Sequence, residues 1–193
     1  MRSVGVKPKI EQAAIELFAA HGVDGVSIGE IAAAAGVSQG ALYRHYPSKE
    51  ELAWSLFSEA YLRTGAELDA LGHQDDNFAA HLGAMVAHFC ALYDSDPALF
   101  RFMLIAQHGL LPRIDADQRT VIEAVADTVA AAIATGETPP VDRLEAAAAI
   151  IGIVLQTAVF HIYDRLPGPL SSRAPALARA ALAAVAALGA AAA

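Results

Sequence analysis

A chain of 193 residues, 55% of them hydrophobic, can bury one large helical domain or a small domain beside a larger one. Much of that apolar fraction is alanine, the best helix former, and Val/Ile/Thr-rich alternating runs are scarce, which argues against a β architecture and predicts an all-α protein. The formal net charge of −8 runs against nucleic-acid binding at first sight, and the single cysteine, Cys90, excludes an internal disulfide.

The charge is unevenly placed. Residues 1–50 hold five Lys/Arg and five Asp/Glu, whereas residues 51–193 hold eight and sixteen. Lys7, Lys9 and Lys49 all lie in the first part, and no acid stands between Glu30 and Glu50, where Arg44, His45 and Lys49 are found. An acidic body with a non-acidic head can hold a polyanion by that head, although an acid-free window of this size also arises by chance in an alanine-rich chain. The N-terminus lacks the apolar core of a secretory signal. The most apolar stretch, Ala146 to Phe160, is short for a membrane span and carries Gln156. A soluble cytoplasmic protein without membrane contact is therefore expected.

In chain order, residues 1–6 read as loose. A first helix follows from Lys7 to Ala20, with Ile10, Ala14, Leu17 and Phe18 on one face and Gly22 past its end. A second runs from Ile28 to Ala35, opened by the capping box of Ser27 and Glu30, with Ile28, Ile31, Ala32 and Ala35 inward. Gly36-Val37-Ser38 is a tight turn in which Gly36 takes positive φ, Val37 pins the turn to the core and Ser38 caps the next helix. That helix, Gln39 to Tyr46, turns Leu42 and Tyr46 inward, leaves Gln39, Ala41, Tyr43 and Arg44 outward, and stops at Pro47. Ser48 and Glu51 form a second capping box for a long helix from Lys49 to Leu71. After the polar connection Gly72–Asn77, five more helices are predicted at about 78–94, 97–108, 115–135, 141–165 and 173–188.

Two short helices joined by a three-residue glycine-containing turn are the helix-turn-helix signature, and the second helix is the reader. Gln39 can bond adenine through its amide, Gly40 and Ala41 allow close approach, and the Ala41 methyl can meet a thymine methyl. Tyr43, His45 and Lys49 offer phosphate donors, and Arg44 serves a guanine or a phosphate. Ser27 and Ser38 are caps first. Lys49 opposes the dipole of its own helix, which a nearby phosphate would offset.

Residues 10–57, IEQAAIELFAAHGVDGVSIGEIAAAAGVSQGALYRHYPSKEELAWSLF, closely resemble the DNA-binding region of the TetR family of transcription regulators. The features that match are IELFAAHG, the Ser27-Ile28…Ile31-Ala32 segment and AGVSQGALYRHYPSKEEL, and they cover about a quarter of the chain. The resemblance implies a three-helix DNA-binding domain (1–48), a linking helix 4 (49–72) and a larger α-helical ligand-binding and dimerisation domain (73–193), about nine helices in all. It implies DNA contacts from Ser27, Ser38, Gln39, Gly40, Ala41, Tyr43, Arg44, His45 and Lys49. It implies a homodimer pairing through the last two helices, a palindromic operator of double-stranded DNA, and repression relieved by a small-molecule effector. Gly29 departs from the pattern, since relatives often carry a polar or charged reader there, so fewer base contacts are expected from helix 2.

In the larger domain, Phe89, Tyr93, Phe102, Met103, His108, Gln156 and Phe160 are candidates to line an apolar pocket with a few orienting polar groups, though such residues more often build cores. His81 and His88 share a helix face without a third ligand, and no metal or cofactor is expected. No nucleophile–base pair, HExxH or carboxylate–histidine set is present in the sequence, which argues against a small all-α enzyme. A TetR-fold interaction or activator protein with altered DNA binding stays open.

Overall fold

The computed structural model describes residues 5–71, 77–115 and 117–192. Among them it contains nine α-helices and no strand: α1 (Val6–His21), α2 (Ile28–Ala34), α3 (Gln39–Tyr43), α4 (Lys49–Leu71), α5 (Phe78–Ser95), α6 (Pro97–Leu110), α7 (Val121–Ala134), α8 (Arg143–Ile162) and α9 (Ala174–Ala192). Short 3-10 turns at Leu111–Arg113 and Leu170–Arg173 precede α7 and α9. The all-α architecture is the one that composition and periodicity predict. Of the segments read as loose or as polar connection, residues 1–4 and 72–76 lie outside the described residues.

The chain divides into two compact units, Met1–Tyr61 with Pro97–Gln118 and Leu62–Asp96 with Arg119–Ala193. The sequence suggests a continuous division at residues 48 and 72. The observed one is discontinuous because α6 packs on α1, with Phe102 stacked on Phe18 at 5.6 Å between ring centroids.

In the first unit Ile10, Phe18, Ile31, Leu42, Leu52 and Phe57 are completely buried and form the centre of the core. Tyr46 closes it from one side, its hydroxyl donating to Glu11 Oε1 at 2.6 Å. Burial, reinforced by that carboxylate, raises the Tyr46 pKa well above the ordinary tyrosine range.

In the second unit α5, α7, α8 and α9 pack together. Ala174, Ala178, Ala181 and Val185 form the buried stripe of α9 at helical spacing. Arg119 holds the end of α4 to α7: Nε and Nη2 donate to the two carboxylate oxygens of Asp69 at 2.6 and 2.7 Å, and Nη1 donates to Asp127. Arg143 also donates to Asp127, at 2.6 Å. Gly65 permits this approach, because a Cβ there would stand 2.8 Å from the Thr120 carbonyl carbon.

Several boundaries differ from their sequence expectations for physical reasons. α3 stops at Tyr43, and the chain tightens so that the N–H groups of His45 and Tyr46 both reach the Leu42 carbonyl before Pro47. α7 begins at Val121 and not near residue 115, since Arg119 is drawn to its two carboxylates and Thr120 caps the helix, accepting from Ile122 N–H at 3.1 Å. Ser48 accepts from Glu51 N–H at 3.1 Å, but the Glu51 carboxylate bonds Arg113 at 3.1 Å. One half of the second capping box is thus observed.

The expectation that no segment is long enough to span a membrane is also corrected. α8 and the run Leu170–Ala190 are long and apolar enough by length and composition, with mean hydropathies of 1.7 and 1.3. The charged residues of α8, Arg143 and Glu145, both lie in its first turn. About a third of each window is buried within the chain, 33% and 28%.

Candidate nucleic-acid interface

α2 starts where Ser27 makes the full capping box: Ser27 Oγ accepts from Glu30 N–H at 3.3 Å, and Ser27 N–H donates to Glu30 Oε2 at 2.8 Å. The Ser27 hydroxyl and backbone N–H together hold the Glu30 carboxyl below its ordinary value. The helix ends in a Schellman motif, with Val37 N–H on the Ala32 carbonyl at 3.0 Å and Gly36 N–H on the Ala33 carbonyl at 3.1 Å. Gly36 takes φ +66° without a Cβ penalty, and Val37 packs against the core of the unit. Ser38 Oγ then accepts from Ala41 N–H at 3.2 Å and starts α3.

This turn aims the two faces of α3. Leu42 is completely buried and Tyr46 nearly so, which fixes the rotation of the segment. Gln39, Gly40, Tyr43, Arg44 and His45 are exposed on the other side, Ala41 is half-buried, and Tyr43 leaves 51% of its surface open. A Cβ at Gly40 would meet nothing within 4 Å, so the surface of α3 is open there. Ser27, Glu30, Tyr43 and Lys49 line one open cleft of about 500 Å³. Lys49 is half-buried at the first position of α4. The Tyr43 hydroxyl and the Lys49 ammonium are the neutral and cationic donors of the cleft, whereas the hydroxyl and N–H of Ser27 both donate to the Glu30 carboxylate, at 2.7 and 2.8 Å. All nine residues singled out from the sequence lie in the first unit.

Residues 10–56 match the family described as bacterial regulatory proteins, tetR family. The N-terminal quarter of the chain thus matches the TetR family. Over 49 residues it is 51% identical to MftR of Mycobacterium tuberculosis, named as a transcriptional regulator of mycofactocin biosynthesis, and the match spans 25% of each chain. Over 48 residues it is 48% identical to the HTH-type transcriptional regulator AcrR of Shigella flexneri, spanning 25% of this chain and 20% of that one. The match thus covers a quarter or less of these relatives' length. Solved structures extend the likeness in fold to the whole chain. The fatty acid degradation regulator FadR from Bacillus halodurans superposes with a TM-score of 0.81 at 18% identity, covering 94% of this chain and 97% of that one. FadR from Bacillus subtilis in complex with stearoyl-CoA gives 0.71 at 20% identity, covering 91% and 97%.

The residues suggested for a pocket fall in different units. Phe102, Met103 and His108 belong to the first, where Phe102 is 1% exposed in the core, Met103 packs on that core and His108 lines a shallow cleft with Gln107. Phe89, Tyr93, Gln156 and Phe160 belong to the second, where Phe89 is buried, Tyr93 meets His161 edge-on at 5.9 Å, and Gln156 and Phe160 are exposed. Of the two histidines sharing a face of α5, His88 pairs with Glu67 at 3.0 Å. No group of three metal-ligating side chains occurs among the described residues. Cys90 is fully buried, and burial pushes its thiol up to about 11.

Sequence reasoning passed over one side chain and read one glycine in part. Arg113, on the turn after α6, lies over Trp54 with its guanidinium 4.4 Å from the ring centroid, and no local pattern announces a pair so far apart in the chain. Gly29 reads from sequence as a lost contact, yet in space it adjoins Gln39.

Proposed function

We propose that this protein is a TetR-family, ligand-responsive transcription regulator that binds a palindromic operator as a homodimer, represses, and leaves DNA when a small molecule binds. The observation that carries the reading is the two-faced α3 segment: Leu42 and Tyr46 lock it to the core, while Gln39, Tyr43, Arg44 and His45 face outward beside Lys49. Ser27, Ser38, Gln39, Gly40, Ala41, Tyr43, Arg44, His45 and Lys49 are the proposed DNA contacts. A reader aimed in this way suits a major groove, with phosphates held at its flanks.

The dimer reading is supported by α8 and α9. Leu144 and Tyr163 are large apolar or aromatic side chains left 53% and 67% exposed on or just after α8, and the outer surface of α9 is largely alanine. We assign these apolar faces to a second copy of the chain in the cytoplasm and not to lipid. A detergent-free preparation that sediments as a dimer supports that assignment; recovery only in detergent contradicts it.

Phe89, Tyr93, Gln156 and Phe160 are proposed as effector contacts in the second unit, and Met103 and His108 in the first. Phe102 is the weakest of the seven, because its ring serves the core. The stearoyl-CoA held by the Bacillus subtilis fold relative makes a long-chain acyl-CoA the first effector to try. The deciding test is selection of bound sequences from a random DNA pool at stated salt, with wild type and Arg44→Ala side by side, repeated with stearoyl-CoA. A palindrome enriched by wild type alone is the expected result. No enrichment by wild type contradicts the reading.

A further inference from the structure

Gly29 is the second residue of α2, and a glycine inside a helix weakens it relative to alanine. Backbone conformation does not call for it, since Gly29 is absent from the glycines with positive φ. No backbone atom is among the neighbours that crowd it either. The space a side chain would fill is taken by the end of Gln39: a Cβ at Gly29 would stand 3.1 Å from Gln39 Nε2 and 4.0 Å from its Cδ, with Ser27 Oγ at 3.8 Å. Gln39 is the first residue of α3 and is exposed, so α2 supplies the wall against which its amide rests.

We infer that Gly29 is a specificity-determining residue, whose missing side chain lets the Gln39 amide lie against α2 and so sets the direction from which that amide meets a base edge. The inference rests on the reading of DNA by α3 proposed above. Paired bonds from an amide to adenine require its N–H and its carbonyl to lie together in the plane of the base. A glutamine side chain with several free torsions meets that requirement better when one surface already confines it, because less freedom is lost on binding. Gly29 is therefore a positioning residue that acts through Gln39.

A methyl group at residue 29 would displace the amide by a few tenths of an ångström. The amide is the exposed end of a flexible side chain, so the fold accommodates the change. Stability and reading then move apart: Gly29→Ala favours the helix and disturbs the reader. A purely structural role for Gly29 predicts no such split.

The test is selection from a random DNA pool at fixed salt with wild type, Gly29→Ala, Gln39→Ala and the double variant, with the melting temperature of each. Gly29→Ala is expected to melt at or above wild type and to lose roughly tenfold discrimination at one base pair of each half-site. That base pair should be the one relaxed by Gln39→Ala, and the double variant should match Gln39→Ala alone. Gly29→Ser is the second probe, with the same expected base pair. A Gly29→Ala preference identical to wild type, or changed only where Gln39→Ala has no effect, overturns the inference and leaves the DNA reading in place. No enrichment by wild type overturns the DNA reading and the inference with it.

Discussion

Arg113 covers the face of Trp54 at 4.4 Å and at the same time donates from Nη2 to Glu51 at 3.1 Å, so one guanidinium ties the turn after α6 to two positions three residues apart on α4. Both partners sit on the first unit, and Arg113 is 40% exposed. A partly exposed cation–π contact is worth about 0.5–1 kcal/mol and an exposed ion pair about 0–1 kcal/mol. Arg113→Ala should therefore lower stability by roughly 1 kcal/mol. Trp54 is the single tryptophan, so its emission reports the contact directly. The variant should shift the emission maximum or intensity, with Arg113→Lys in between because an ammonium cannot stack. Emission and denaturant midpoint both equal to wild type would show that the contact contributes nothing in solution.

Two helical glycines should respond oppositely to alanine. At Gly65 the new Cβ would lie 2.8 Å from the Thr120 carbonyl carbon and 3.0 Å from the Arg119 carbonyl oxygen, backbone atoms that are not free to swing aside. Gly65→Ala should destabilise by about 1–3 kcal/mol, as overpacking does, and loosen the Arg119 links to Asp69 and Asp127. At Gly83, inside α5, a Cβ would meet nothing within 4 Å. Gly83→Ala should stabilise by about 0.5–1 kcal/mol. Thermal melts of the pair decide, and a common sign would contradict the packing argument.

Asp94 links α5 to the turn that leads into α9. Its two oxygens accept from Leu170 N–H at 2.8 Å and Ser171 N–H at 2.9 Å. Burial alone would raise its pKa, but the bonds from Ser171 and Leu170, with His161 nearby, outweigh burial and hold it below the ordinary 3.8. A carboxyl whose pKa is depressed on folding stabilises the fold above its unfolded value, and that contribution fades as pH falls through the folded value. Asp94→Asn should thus melt below wild type by a constant margin at pH 5–7, and the margin should shrink below about pH 4. Melting curves across that range check it, and a margin unchanged at pH 3 would assign the effect to shape and not to charge.

The features legible in the sequence are those whose partners lie within one turn of chain. Ser27 and Glu30 announce the start of α2, and Gly36-Val37-Ser38 announces its Schellman end, because each bond closes over three to five residues. Together with the burial of Leu42 they locate the candidate reading surface. The start of α7 is not legible locally, since it is decided by Arg119 reaching Asp69 fifty residues away. Neither is the membership of α6 in the first unit, which depends on the Phe18–Phe102 stack. Gly29 shows both sides: its helix cost is visible in the sequence, while its reason, the Gln39 amide, appears only when α2 and α3 cross.

The proposed DNA contacts of Tyr43 and Gln39 predict different losses. Tyr43 is 51% exposed and shares the cleft with Lys49, and its proposed partner is a phosphate, which carries no sequence information. Tyr43→Phe removes one hydroxyl and should weaken binding by about fivefold, as one hydrogen bond of about 1 kcal/mol implies, on every sequence alike. Lys49→Ala should also weaken all sequences and lower the slope of log affinity against log salt by about 1. Gln39→Ala should instead leave weak sites nearly unchanged and cut the preference at one base pair, because the amide is the proposed reader of a base edge. Titrations of the three variants against the selected operator and its single-base substitutions, at three salt concentrations, separate the roles. Equal losses for Tyr43→Phe and Gln39→Ala on all sequences would mean that both side chains serve the backbone, and that Arg44 is left as the candidate base reader on α3.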